Sequence, residues 1–322
     1  MIRLILLCLA SLIVAVPAAA QVSQKWPERP IRFIVPFQPG SSSDTVARVV
    51  GQKLGERLGQ QIVVENRVGA SGNIGTEAVA RAEPDGYTIG LANTSTHVIA
   101  ASLSGNLTYD PVKDFAPVAM LGSSPFILSV YTGLAAKNIP ELIALAKSKP
   151  GALSYASAGP ATSAHLSGAL FEKLAQVQLV HVPYRGSAQS VLDLVEGRVD
   201  MQFGTIPPTL ALVRDGRVRA LAVTGDKRSA VLPDVPTIAE TVPGYESTLW
   251  QAVVVPAATP MAIIQRLNQE VVAVLASADV KATLEKQGIE LEPSTPAQLT
   301  ARIRADLGKW SEVIRGAGIR TQ

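Results

Sequence analysis

The sequence predicts an α/β fold: mostly parallel sheets with helices on both faces, split into two domains. Three observations carry that reading. Short apolar strand patterns alternate with amphipathic helical ones from Ile31 onward, the arrangement that builds parallel strands through crossover helices. The chain has 322 residues, 47% of them hydrophobic, enough for two cores rather than one. A strand, turn and helix at Ile31–Asp44 recur in design at Leu153–Leu166, one copy for each expected domain.

The first copy, Ile31-Arg32-Phe33-Ile34-Val35-Pro36-Phe37-Gln38-Pro39-Gly40-Ser41-Ser42-Ser43-Asp44, organises the rest. Apolar Ile31, Phe33, Ile34 and Val35 suit a buried strand, Pro36 stops its ladder, and Pro39-Gly40 forces a turn before a helix beginning near Thr45. Three hydroxyls and several unpaired backbone N–H groups therefore gather at a helix N-terminus, where the dipole favours a carboxylate or phosphate. This is an anion cradle without a fixed cation. A plainer role stands beside it: Ser43 or Asp44 caps the helix, a place both residue types favour.

The helix carries Val46, Val49, Val50, Leu54 and Leu58 on one face and closes at Gly59. Gln61–Glu65 reads as a second strand, Ile74–Ala82 as a helix, and Tyr87–Leu91 as a third strand after the Pro84-Asp85-Gly86 turn. Ligands of such sheets sit beyond the carboxyl ends of the strands. Asn93-Thr94-Ser95-Thr96-His97 falls at that end, as a second wall or as a helix cap. Phe126–Tyr131 opens a second unit, with Ile139–Lys147 helical behind an Asn138 cap and Pro140 in its first turn. In the second copy a short strand feeds the Gly159-Pro160 turn, crowded by Ser157, Thr162 and Ser163, and then a helix through Leu174. Two such turns, facing across a cleft, can share one anion. The alternation continues through Leu179–Val182, Val191–Glu196, Val199–Phe203, Leu210–Arg214 and Val218–Val223. Thr248–Val255 is a further strand, and Pro260–Ser277, Val280–Gln287 and Pro296–Ile314 are helical.

Composition narrows the function. Arg3, the apolar Leu4–Val16 and Ala18-Ala19-Ala20 read as a secretory signal cleaved before Gln21, which places the product outside the cytoplasm. Losing residues 1–20 removes only Arg3 among charges, so 29 basic and 26 acidic residues become 28 and 26, a balance of +2 that does not argue for nucleic acid. The single cysteine, Cys8, lies in the signal, so no disulfide framework is available. Beyond the signal no apolar run approaches the ~20 residues of a membrane span.

Catalytic and metal-binding patterns are missing from the sequence. His97, His165 and His181 are isolated, and no His-Glu-x-x-His helix accompanies them, so there is no metal-ligand spacing. No nucleotide loop of either common kind occurs. Hydrolysis needs a Ser beside a carboxylate-oriented His, and there is no Gly-x-Ser-x-Gly elbow. His165, in the first turn of its helix, is either packed structurally or lines the cleft. What remains is binding, without metal or cofactor.

Several segments, in order, resemble the Bug family, the extracytoplasmic solute receptors of tripartite tricarboxylate transporters. They include Val35-Pro36-Phe37-Gln38-Pro39-Gly40 with Asp44, Val64-Glu65-Asn66-Arg67, Gly72-Asn73-Ile74-Gly75, Pro84-Asp85-Gly86-Tyr87, Tyr155-Ala156-Ser157, Val182-Pro183-Tyr184-Arg185-Gly186 and Leu232-Pro233-Asp234-Val235-Pro236-Thr237. The resemblance implies a periplasmic binding protein of two domains (type II-like), residues 21–121 with 243–322 and residues 122–242, each a mixed, mostly parallel sheet flanked by helices. It implies a monomer that closes on a small carboxylate (di- or tricarboxylate, amino acid or aromatic acid) and presents it to a membrane permease. By matching position, the ligand is held by Phe37, Gly40, Ser41, Ser42 and Asp44 on one side and by Ser157, Gly159, Thr162, Ser163 and His165 on the other. Thr94 and Ser95 form a third wall. The chain departs from the family pattern at Ser41 (commonly Gly), Ala169 (commonly acidic) and Gly204 (commonly Asp). The alternatives are a ligand sensor docking on a membrane kinase and, more remotely, a serine hydrolase.

Overall fold

The computed structural model describes residues 26–103 and 107–317; the expected signal, its cleavage position and Cys8 lie outside the described residues. The chain runs β1 (Ile31–Val35), α1 (Ser42–Leu58), β2 (Ile62–Asn66), α2 (Asn73–Ala80) and β3 (Thr88–Asn93). A π-helical turn over Ser95–Ile99 follows, and then the short α3 (Ala100–Leu103). Next come β4 (Phe115–Tyr131), α4 (Ile139–Ser148), β5 (Ser154–Ser157), α5 (Ser163–Ala175), β6 (Val180–Pro183) and α6 (Ser187–Val195). β7 (Met201–Thr205), α7 (Ile206–Arg214) and β8 (Val218–Val223) complete that part. The chain ends with β9 (Thr248–Pro256), α8 (Met261–Leu275), α9 (Ala278–Glu285), β10 (Glu290–Leu291) and α10 (Pro296–Ala317).

Local chemistry explains the helix ends. The Asn138 side chain accepts the Glu141 N–H at the start of α4, with Pro140 in the first turn. α1 stops at Gly59, whose positive φ of 69° lets its N–H return to the Gly55 carbonyl.

β4 decides the architecture. Its first part, Phe115–Pro125, pairs with β9, while Phe126–Tyr131 pairs with β7 on one side and β8 on the other. Two sheets are thereby fused through one 17-residue strand, about three times the usual strand length. Parallel pairing is confined to the flanks, β1 with β2 and β3, and β5 with β6 and β7. The centre, β3–β9–β4 with β7, β8 and β10, is antiparallel. The sheet is therefore mixed, and less parallel than the strand–helix alternation implies, because β9, which follows the whole β5–β8 segment, runs antiparallel to both of its neighbours, β3 and β4.

Both faces of each sheet are covered. Val46, Val50 and Leu54 of α1 pack with Ile263, Leu267 and Val271 of α8 against Phe33 and Ile89. On the opposite face Leu299, Ile303 and Trp310 of α10 meet Phe115 and fully buried Trp250, whose Nε1–H donates to Asp306 Oδ2 at 2.7 Å. Around β5 and β7, Leu142 of α4 and Phe171 of α5 enclose Tyr155, Phe203 and Tyr245. The carboxyl ends of β1, β3, β5, β6 and β7 open toward one region, and the loops that follow them supply its walls.

Candidate functional site

The first wall is the start of α1. Ser41, not Ser43 or Asp44, is the cap: its Oγ accepts the Asp44 N–H at 3.2 Å, and α1 begins three residues earlier than the sequence suggests. Gly40 turns the chain with φ of 77°, which favours glycine, and its N–H donates to Asp44 Oδ2 at 3.0 Å. Ser42 Oγ accepts from Gln251 Nε2 at 2.9 Å, and Ser43 Oγ accepts from Asn93 Nδ2 at 3.5 Å. Each of the three serine oxygens thus takes a protein N–H and keeps its own hydrogen to donate. All three line one small pocket. The Ser42 and Ser43 N–H groups, first in the helix, have no acceptor within it.

The facing wall is the start of α5. Its cap is Thr162, whose hydroxyl accepts the His165 N–H at 3.4 Å and donates to the Gly159 carbonyl at 2.8 Å. The π-helical turn joins the two walls: Ser95 Oγ accepts the Ser163 N–H at 3.0 Å and lies 3.0 Å from Ser163 Oγ. Ser71 Oγ donates to the Pro160 carbonyl across the mouth at 2.5 Å. An outer groove of about 500 Å³ shares Phe37, Gln38, Ala158 and Arg185 with the inner pocket and also takes in Gly159.

Of the twelve residues expected at the site, Phe37, Ser41, Ser42, Ser95 and Thr162 line the inner pocket and Gly159 the outer groove. The others hold the frame. Asp44 is buried, and its oxygens receive Gly40 N–H, Arg48 and Asn66 Nδ2. Burial alone would raise its pKa; the bonds from Arg48, Gly40 and Asn66 outweigh this and hold it below the ordinary carboxylate value. Ser157 Oγ accepts the Gly159 N–H at 3.1 Å and meets His181 Nε2 at 2.7 Å. His165 Nδ1 accepts the Ala161 N–H at 3.2 Å, and its ring stacks on His181 at 4.0 Å. Burial brings His165 down to about 4 and, with the neighbouring His165, His181 to about 3. Both are neutral at pH 7.

Thr94, expected at a third wall, bonds within the sheet. Its Oγ1 accepts the Trp250 N–H at 3.1 Å, continuing the β3–β9 ladder beyond Asn93. Thr94→Val should cost about 1–3 kcal/mol by leaving that buried N–H unpaired. Urea unfolding measures the loss, and the ranking of ligands should stay unchanged.

A residue missed by the sequence reading is Arg185. It lines both pocket and groove and is the only ionised side chain among the inner lining residues, so the cradle does have a cation. The signal was a basic residue directly before Gly186 and a helix, but only the fold brings that loop opposite α1.

Ser157 and His181 do not make a hydrolytic pair. Ser157 is fully buried away from the pocket lining, and no carboxylate bonds to His181 among the described residues. A pocket of hydroxyl and N–H donors at strand ends, within this fold, defines a solute-binding receptor rather than an enzyme. The chain belongs to the tripartite tricarboxylate transporter family of receptors, whose model matches residues 46–319. It is 36% identical to protein BugT of Bordetella pertussis over 309 residues, 95% of this chain and 94% of that one. Among solved structures it is similar to Rpa4515 of R. palustris with adipate (36% identity, TM-score 0.89, 92% of this chain and 99% of that one). It is also similar to MatC of Rhodopseudomonas palustris with bound malate (32% identity, TM-score 0.85, 90% of this chain and 100% of that one).

Proposed function

We propose that the chain is exported through its N-terminal signal, captures a small carboxylate in the periplasm, and hands it to the permease of a tripartite tricarboxylate transporter. Two domains, residues 21–121 with 243–322 and residues 122–242, close on the ligand as a monomer, hinging where β4 passes from one sheet to the other. The supporting observation is the first turn of α1, where three serines keep hydroxyl hydrogens to donate and two backbone N–H groups are free, all at the positive end of a helix. Relatives crystallised with adipate and malate are consistent with that chemistry. A micromolar ligand needs about −8 kcal/mol, within reach of four to six charge-assisted hydrogen bonds at roughly 1.5–3 kcal/mol each after association costs.

Thermal shift of the mature chain against mono-, di- and tricarboxylates and amino acids tests the proposal. At a hundredfold excess over Kd a ligand should stabilise by about 2.7 kcal/mol. No shift with any acid overturns it.

A further inference from the structure

Two hydroxyls reach from the part of the chain before β4 to the part between β4 and β9, at different depths. Near the surface Ser71 Oγ donates to the Pro160 carbonyl at 2.5 Å. Deeper, Ser95 Oγ accepts the Ser163 N–H at 3.0 Å, and both of these residues are buried. Ser71 is absent from the inner lining; with Pro160 it lines the outer groove, which adjoins the inner pocket through Phe37, Gln38, Ala158 and Arg185. The outer bond therefore touches no group that would choose a ligand.

Both partners of the outer bond stand on strained turns. Ala70 and Ser71 have φ of 45° and 56°, and Ala161, next to Pro160, has φ of 56°. Residues with a Cβ avoid this left-handed region unless their surroundings impose it. Here each turn is tied to its own side. The Thr76 hydroxyl donates to the Gly72 carbonyl at 2.9 Å, and a Cβ on Gly72 would stand 2.8 Å from Thr96 Cγ2. The Ser71 turn is thus pressed against the π-helical turn that carries Ser95. Opposite, His165 Nδ1 takes the Ala161 N–H at 3.2 Å, and the Thr162 hydroxyl takes the Gly159 carbonyl at 2.8 Å. These ties keep the two turns from relaxing and aim one hydroxyl at one carbonyl.

We propose that Ser71 is a clasp on the mouth of the cleft: its bond to the Pro160 carbonyl holds the two domains together, with or without a ligand, and sets how often the pocket opens. The inference rests on the two-domain closure proposed above. The bond belongs to the closed form whether or not a ligand is inside, so it weights the free and the loaded protein equally toward closure. Its loss speeds entry and release by the same factor and leaves affinity where it was.

Hydrogen exchange of the Ser163 amide, followed by NMR, reads the opening without any ligand and so stands apart from the carboxylate reading. That N–H is the first of α5, with no acceptor inside the helix, and its partner Ser95 Oγ comes from the other domain. In Ser71→Ala it should exchange about fivefold faster, the worth of one neutral hydrogen bond. The Leu166 amide, bonded to the Thr162 carbonyl within one domain, should keep its rate and report an intact helix. Ser71→Gly should match Ser71→Ala. Glycine relieves the strain but lacks the hydroxyl, so a role confined to the backbone of the turn would instead restore the rate of the unaltered chain. With malate and adipate as probes, stopped-flow association and release should both quicken about fivefold in either variant, while the calorimetric Kd holds within about twofold. Unchanged Ser163 exchange in Ser71→Ala, or a Kd that rises in step with the release rate, overturns the clasp and leaves closure around a ligand standing. Ser163 exchange in the unaltered chain as fast as in an unfolded peptide overturns the clasp and closure of the free protein together.

Discussion

Lowering the pH from 7.5 to 5 should cost this fold several kcal/mol: about 2 kcal/mol each for His97 and His165, and somewhat less for His181, which water partly screens. Burial brings His97 to about 3 and His165 to about 4; burial and its neighbour bring His181 to about 3. An unfolded histidine titrates near 6.5. Between 6.5 and these depressed values the unfolded chain takes up protons that the folded chain refuses, so stability is full above 6.5 and falls as the pH drops. The structural cause is specific. His97 is fully buried beside Tyr109 and Phe115. His165 needs a bare Nδ1 to accept the Ala161 N–H, and its ring lies 4.0 Å from that of His181. Glu172, whose pKa burial raises, takes up its proton at a higher pH folded than unfolded and so works against the loss. Urea unfolding at pH 7.5, 6 and 5 measures the slope, and His97→Phe should remove about a third of it. A stability flat across that range contradicts the assignment.

Asp44→Ala should destabilise the protein by about 2–3 kcal/mol, at the low end for a broken buried pair because Arg48 stays half-exposed to water. The carboxylate joins three segments: the Gly40 turn, Arg48 one turn along α1, and Asn66 at the end of β2. Asn66 in turn holds the Phe37 carbonyl at 2.9 Å. Without Asp44 the serine turn loses its frame, so affinity for every acid should fall together, about tenfold, with their order unchanged. Urea unfolding and calorimetry read the two effects. A changed ligand order would place Asp44 in contact with the ligand; unchanged stability would remove its framing role.

What could be read from the chain follows the range of the interaction concerned. The strand, turn and helix at Ile31–Asp44 were legible because Pro36, Pro39-Gly40 and the serines act on their immediate neighbours. Even there the cap moved to Ser41, since Ser, Ser, Ser and Asp in succession offer four caps and only the turn geometry selects one. Of the 17-residue β4 the sequence pattern marks only Phe126–Tyr131. Gly122-Ser123-Ser124-Pro125 has the composition of a break, yet pairs with β9 residue for residue, after two shifts of register earlier in the strand. Thr94 carried a ligand's chemistry and serves the sheet, because Trp250 arrives beside it from 156 residues away.

By itself the sequence determined the α/β class, the alternation of most elements, the two hydroxyl turns and the family. Those depend on periodicity, turn residues and ordered motifs, which survive without knowing what lies opposite. The tertiary structure alone decided that five of twelve expected residues line the inner pocket, that Asp44 and His165 bond within the walls, and that Arg185 lines the same pocket as the serine turn. A polar side chain has the same chemistry whether it meets a ligand or a distant backbone N–H, and only the packing of the sheets assigns its partner.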